Sequence, residues 1–343
     1  MRTAFKIVGL VGLALALGSA TWFLRNRPGA SSPMSPSVKN VPNIGLTSPG
    51  RVSMTTHNAE IGNAHPSPAG ETGLMPDDAA MTPLVPGRIS LIVNGNGGAD
   101  YVKRVKAVHA IDTDLTGEET NAFYRYLQTP AKNSPDAEGE NWLRNEMLDK
   151  LVQQTVVTND LSQLLVALYR DTAQDDVLRD YALQHMAPVY GRVDTNEQAS
   201  LQAALWQAVG ETDTSIGGTA LLALLNVAQT DPAVDQNQLA KTASQLAGDD
   251  SCGELTRITA VQVCGRLRVD QALPVVQQLA QAAPSEPLQI AALAALGDFG
   301  TPAAVNILER LAASPDPRLA LAAQSGLRRL ARAQPAPAMS AGP

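Results

Sequence analysis

Residues 287–297 read PLQIAALAALG, and this stretch determines the fold because its pattern also occurs 32 residues earlier. After the opening proline, its apolar side chains recur every three or four residues, which predicts an α-helix with a buried face. Shifting residues 256–281 by 32 places them on residues 288–313 without a gap, and apolar positions match one by one, for example Ile258 with Ile290. A fixed period of this length indicates stacked helical units.

The chain after residue 98 is predicted to form about six helical hairpins followed by a last helix at 317–332. The predicted pairs are 99–111 with 117–128, 141–154 with 160–171, 177–190 with 195–209, 216–229 with 235–247, 254–266 with 270–282, and 288–297 with 302–313. Residues with N-cap chemistry precede these helices: Thr116 (in a capping box with Glu119), Asp160, Thr195, Asp270, Thr301 and Asp316. Just before the repeats, residues 88–93 (RISLIV) predict one short strand.

These residues resemble HEAT-like repeats, in which an Asp-Pro-x-Val/Leu opening leads into Ala-Ala-Leu-x-Ala-Leu-Gly. The resemblance is clearest over residues 253–330. It implies an all-α fold, a right-handed HEAT-like α-solenoid, and protein–protein recognition, and it brings no catalytic residue with it. A tetratricopeptide array is the alternative architecture, but its Trp/Gly/Tyr signature is absent from the sequence.

The N-terminus predicts a membrane-directed segment. Residues 7–24 carry no charge, and Arg25 and Arg27 end the run. At the helical rise this run is about 27 Å long, enough to cross a hydrocarbon core. We expect residues 1–27 to be an uncleaved signal-anchor that exports the rest of the chain, on the periplasmic side of a bacterial inner membrane. A cleaved signal peptide, followed by secretion, is the alternative.

The remaining segments differ in composition. Residues 28–86 are rich in Pro, Ser and Gly and show no apolar period, so they are predicted to be a disordered linker reaching about 45 Å. Residues 87–333 are predicted to be the repeat domain, and residues 334–343 a disordered tail. Apolar residues make up 44 % of the chain but aromatic residues only 4 %, which favours closely packed helices rich in Ala and Leu.

Charge is distributed unevenly along the chain. The net charge of −7 disfavours nucleic-acid binding. Residues 99–250 hold 11 basic and 23 acidic side chains, whereas residues 251–343 hold 8 basic and 6 acidic ones. This polarity could orient a partner or allow head-to-tail self-association.

Catalytic and metal-binding signatures are absent from the sequence, which contains no His-Glu-x-x-His and no Gly-x-Ser-x-Gly. His109 and His185 are each interpreted as an ordinary histidine, packed in the core or solvated at the surface. Cys264 aligns with Leu296 and is predicted to be a small buried hydrophobe, too far from Cys252 for a disulfide. We therefore expect no catalytic residue, cofactor or metal.

The sequence favours a membrane-tethered, exported, non-catalytic scaffold or adaptor that binds other proteins. The second helices of such pairs commonly line the concave side, and the repeat phase points these side chains away from the core: Gln245, Gln277, Gln278, Asn306 and Arg310. The alternative function is a structural spacer or self-associating envelope element. An enzyme with an unrecognised site ranks third.

Overall fold

The computed structural model describes residues 87–94, 101–130 and 136–333, all of which belong to one compact unit. These residues contain fourteen α-helices and no strand. The helices are α1 (Gly87–Val93), α2 (Tyr101–His109), α3 (Gly117–Gln128), α4 (Ala137–Val152), α5 (Asn159–Arg170), α6 (Asp176–Tyr190), α7 (Thr195–Ala208), α8 (Ile216–Ala228), α9 (Gln236–Gly248), α10 (Glu254–Leu267), α11 (Leu273–Ala282), α12 (Glu286–Phe299), α13 (Pro302–Ala312) and α14 (Pro317–Ala333). A short 3-10 turn, Asp270–Ala272, precedes α11.

The predicted anchor (1–27), linker (28–86) and tail (334–343) lie outside the described residues. Among the described helices, none combines the length and the apolar content that a membrane crossing requires. The assignments of those three segments therefore stay predictions.

The strand predicted at residues 88–93 is wrong, because these residues form α1. Ile89 and Ile92 are both fully buried, and a spacing of three residues puts them on one helical face. A strand would need a pairing neighbour, and the described residues contain no other strand.

Side-chain caps begin several helices where the sequence predicts them. The Thr116 hydroxyl accepts a hydrogen bond from the Glu119 N–H at 3.3 Å, and the Glu119 carboxylate accepts from the Thr116 N–H at 2.8 Å, which completes the capping box. Thr301 and Asp316 accept from early amides of α13 and α14. Each of these two residues directly precedes a proline at the first position of its helix.

Three predicted caps are displaced. Thr195 is the first residue of α7, and Asp194 caps that helix by accepting from two backbone N–H groups at 3.0 Å. Asp160 lies inside the first turn of α5, behind the cap residue Thr158, and Asp270 opens the 3-10 turn. In each case the acidic side chain still lies at the positive end of a helical segment, where it is favourable.

The helices form two layers of different spacing. The even-numbered helices from α2 to α14, here called the close layer, pack along their length against one another. The odd-numbered helices from α1 to α13, here called the open layer, contact one another at few positions. Each open-layer helix packs against the close-layer helix that follows it in the chain. The described residues thus form seven hairpins, α1 with α2 through α13 with α14, and the predicted set of six is offset by one helix.

Small residues allow the close-layer helices to approach backbone to backbone. A Cβ added to Gly297 in α12 would lie 2.7 Å from the Cα of Gly326 in α14. A Cβ added to Gly265 in α10 would lie 2.8 Å from the Cα of Ala295 in α12. Both distances are far below ordinary carbon contacts of about 3.5–4.0 Å, so these positions accept only glycine without moving the helices.

Gly265 and Gly297 lie near the predicted ends of their helices, at 266 and 297, and the structure extends both helices beyond those ends. Both glycines lie inside their helices, which continue to Leu267 and Phe299. The helices end instead at left-handed residues, Arg268 (φ 51°) and Gly300 (φ 67°), which are also 32 positions apart. The period is therefore preserved through the helix ends as well as through the core.

A buried carboxylate joins the first hairpins. Glu140 in α4 accepts hydrogen bonds from the hydroxyls of Tyr101 (3.0 Å) and Tyr126 (2.9 Å) and from Nε of Arg144 (2.6 Å). Arg104 lies 3.9 Å away and donates to a backbone carbonyl. Burial opposes ionisation of Glu140, but Arg144 together with the hydroxyls of Tyr126 and Tyr101 outweighs it and lowers the pKa of the carboxyl below its usual range. Removing this charge would leave buried arginines without a counter-ion.

Candidate protein-binding surface

Four of the six large apolar side chains that are exposed in the described residues lie on the close layer, and the other two are Leu91 in α1 and Val156 between α4 and α5. Trp142 in α4 is 41 % exposed, Val177 in α6 is 44 % exposed and Val102 in α2 is 46 % exposed. Leu321 in α14 is also exposed. Single exposed hydrophobic residues are common, but the first three lie on successive helices of one layer, which makes this layer a candidate for contact with another protein.

Carboxylates lie close to the aromatic side chains Trp142 and Tyr181 of this layer. Trp142 donates its indole N–H to Glu146 at 3.1 Å, and the second oxygen of Glu146 lies 2.6 Å from Nε2 of His109 in α2. Tyr181 in α6 is half-buried, and burial raises its pKa, with a further rise from carboxylates that include Glu146 and Glu138. Aromatic and acidic groups from α2, α4 and α6 thus share one surface, here called the acidic row.

Two titratable side chains lie beneath the acidic row. His185 in α6 is buried and lies 3.2 Å from Oδ1 of Asn145, and burial lowers its pKa to about 4. Burial raises the pKa of Asp149 to about 6, and the charge of Glu146 adds to the rise. His185 is therefore a neutral, packed histidine at neutral pH, and His109 is exposed on the surface, as the sequence predicts.

The residues predicted to line the partner face lie in the open layer. Gln245 is in α9, Gln277 and Gln278 are in α11, and Asn306 and Arg310 are in α13. Gln277 is half-buried, whereas the other four are exposed. Arg310 donates to Gln281 at 2.5 Å, which connects α13 to α11 across the open layer. Exposure alone does not test a binding role, so these five residues stay a predicted partner-binding face.

Cys264 is fully buried, and burial raises the pKa of its thiol to about 12, so it is the small core hydrophobe that the repeat alignment predicts. Cys252 is also buried, and both thiols are free. Over residues 87–94, 101–130 and 136–333 the structure contains no group of three or more His, Cys, Asp or Glu side chains arranged to hold a metal.

Comparison with known proteins identifies the repeat type. Residues 239–328 match the family model of HEAT repeats, and they run from α9 into α14, which are the last three hairpins. The predicted HEAT-like resemblance is therefore confirmed for this part of the chain. No curated protein matches the sequence.

Two solved structures show a distant likeness. Human deoxyhypusine hydroxylase in complex with glycerol is 15 % identical, with 71 % of this chain and 96 % of that chain covered and a TM-score of 0.32. A designed armadillo repeat protein is 17 % identical, with 66 % of this chain and 99 % of that chain covered and a TM-score of 0.38.

Proposed function

We propose that this chain, whose C-terminal hairpins are HEAT repeats, is a membrane-tethered, exported and non-catalytic scaffold that binds another protein through its close layer. The observation that carries the proposal is the acidic row, in which exposed Trp142 and Val177 lie among carboxylates. Tethering and export are supported by the uncharged run at residues 7–24.

The spacing of the layers supports the choice of the close layer. We infer that the close layer forms the inner side, because a stack of hairpins curves toward the layer whose helices are more tightly spaced. Inner faces of solenoids are extended and concave, which suits a partner that contacts several repeats at once. The open-layer residues Gln245, Gln277, Gln278, Asn306 and Arg310 are the competing surface.

The chemistry of the acidic row indicates the kind of partner. Residues 99–250 carry an excess of 12 negative charges, and the exposed aromatic side chain lies within this half. A partner segment with basic residues next to an apolar side chain would satisfy both features. Binding should therefore weaken as the salt concentration rises.

Affinity capture from envelope extracts tests the surface. We expect the wild-type chain and the Gln278→Ala/Arg310→Ala variant to retain one stoichiometric heterologous protein, and Trp142→Ala/Val177→Ser to lose it. The opposite pattern would place the partner on the open layer and refute our choice. Far-UV circular dichroism of each variant controls for folding.

Sedimentation and N-terminal sequencing separate the remaining alternatives. Concentration-dependent self-association without a heterologous partner would support the spacer or self-associating function instead. Fractionation followed by N-terminal sequencing tests the anchor, because a mature start near Thr21 would show that the segment is cleaved.

A further inference from the structure

A cleft of about 480 Å³ opens at the C-terminal ends of α10 and α12, beside α14. Its polar wall contains three arginines and one aspartate, Arg266, Arg268, Arg329 and Asp298. Phe299 and Leu330 supply apolar surface beside them. The cleft lies in the basic C-terminal part of the chain, at the opposite end of the close layer from the acidic row.

Arg268 has an unfavourable backbone conformation. It ends α10 with φ 51° and ψ 51°, in the left-handed region. The equivalent position one repeat later is Gly300, which adopts this conformation without strain. Arg268 is the one residue other than glycine with a positive φ in the described chain. Such strain is retained where the side chain has a role, so the outlier points to the guanidinium.

Two of the three guanidinium groups have no partner. Within the described residues, the guanidinium groups of Arg266 and Arg268 make no hydrogen bond and no ion pair, although the backbone N–H of Arg268 donates to the carbonyl of Gly265. Arg329 is engaged, since it lies 3.3 Å from Asp298 and donates to the carbonyl of Ala294 at 3.0 Å. Burial raises the pKa of Asp298, while all three cleft arginines act to lower it, so their positive potential converges on this site.

A cation near a helix C-terminus is favourable by itself, because it offsets the helix dipole. That explains Arg266, which lies in the last turn of α10. It does not explain Arg268, since a cation at a neighbouring unstrained position would serve the dipole equally well.

We propose that this cleft binds carboxylates of an acidic polypeptide segment, with Arg266 and Arg268 as the recognition residues. Guanidinium groups pair with planar carboxylates through two parallel hydrogen bonds. The apolar wall formed by Phe299 and Leu330 suits the side chains between successive acidic residues of a peptide. A compact phosphate would leave most of the cleft of about 480 Å³ empty.

Fluorescence anisotropy with the full chain tests the proposal. The probe is a fluorescein-labelled peptide that alternates Glu and Ala, and the control peptide has Gln in place of Glu. We expect the acidic peptide alone to bind, and each of Arg268→Gly and Arg266→Gln to weaken binding about tenfold, as for the loss of a charged hydrogen-bonded pair. Arg125→Gln, an exposed arginine of α3, changes the net charge by the same amount and should leave binding unchanged.

Arg268→Gly is the decisive variant because glycine relieves the strain, so weaker binding cannot come from unfolding. Equal affinity of this variant and the wild type would overturn the proposal, as would equal binding of the Gln peptide. Displacement of the probe by equimolar inorganic phosphate would assign the cleft to a small anion and also overturn it. Self-association of the wild-type chain that Arg268→Gly abolishes would identify a second copy as the source of the carboxylates. None of these results depends on the acidic row, so the proposed function is tested separately.

Discussion

Replacing Gly297 by alanine tests whether backbone contact in the close layer holds the repeats together. The added Cβ would lie 2.7 Å from the Cα and 3.0 Å from the carbonyl oxygen of Gly326. Both atoms belong to the backbone of α14, so no side chain can rotate away. The two helices would have to separate by about 1 Å to restore an ordinary carbon contact.

Two opposing contributions set the change in the free energy of unfolding. Alanine in place of glycine inside a helix gains about 1 kcal/mol in helix propensity. Inserting a methyl group into a filled core costs about 1–3 kcal/mol, and an immovable backbone neighbour favours the upper part of that range. We expect Gly297→Ala to lower the free energy of unfolding by about 1–2 kcal/mol.

Gly248→Ala is the matched control. A Cβ at Gly248, the last residue of α9, would meet only methyl groups of Val275, at 3.7 and 3.8 Å. This variant keeps the propensity gain without the clash, so its stability should rise by up to about 1 kcal/mol.

Urea unfolding followed by circular dichroism at the helix band measures both variants, with equal denaturant slopes required before the midpoints are converted. Hydrogen exchange should show lost protection in α12 and α14 for Gly297→Ala alone. If Gly297→Ala proves as stable as the wild type, the close backbone contact does not limit the packing and the reasoning fails.

Three further predictions concern single sites. Arg268→Gly should raise the free energy of unfolding by about 0.5–1 kcal/mol, because relief of the left-handed strain exceeds the cost of a more flexible unfolded chain. Gly300→Ala should lower the free energy of unfolding. Urea titration measures both variants, and changes of the opposite sign would contradict the prediction. Glu140→Ala should cost about 3–5 kcal/mol by leaving buried arginines unpaired, and a loss below 1 kcal/mol in thermal or urea unfolding would show that the pair is dispensable. Burial lowers the pKa of His185 to about 4, below its unfolded value of about 6.5, so the unfolded state binds this proton first and the contribution of His185 to stability falls as the pH drops through that window. His185→Gln should flatten this fall in urea midpoints measured at several pH values, and an unchanged profile would exclude His185 as its source.

Much of the fold is predictable from the sequence because helices are local. The capping box at Thr116 and the caps at Thr301 and Asp316 depend on a few neighbouring residues, and the structure has them as predicted. The strand predicted at 88–93 failed for the opposite reason. A short apolar run is compatible with both structures, and here burial against α2 and α3 accompanies the helix.

The acidic row shows why the candidate surface could not be read from the chain. Trp142 and Glu146 lie four residues apart on α4, whereas His109 lies on α2, and only packing brings His109 to hydrogen-bond distance of Glu146. The signal that could have found them is the phase of α4, in which Trp142 and Glu146 occupy successive turns of one exposed face.

The sequence by itself determined the helices and the period of 32 residues, since apolar spacing and caps act over a few residues. The structure adds that the left-handed positions 268 and 300 keep the same register. Only the tertiary structure decided which neighbouring helices form a hairpin. Each helix is connected to one helix before it and one after it, and a period of 32 residues is compatible with either pairing. The tight contacts at Gly265 and Gly297 decided which layer is the close one, since helix spacing depends on the side chains that two distant segments place opposite each other.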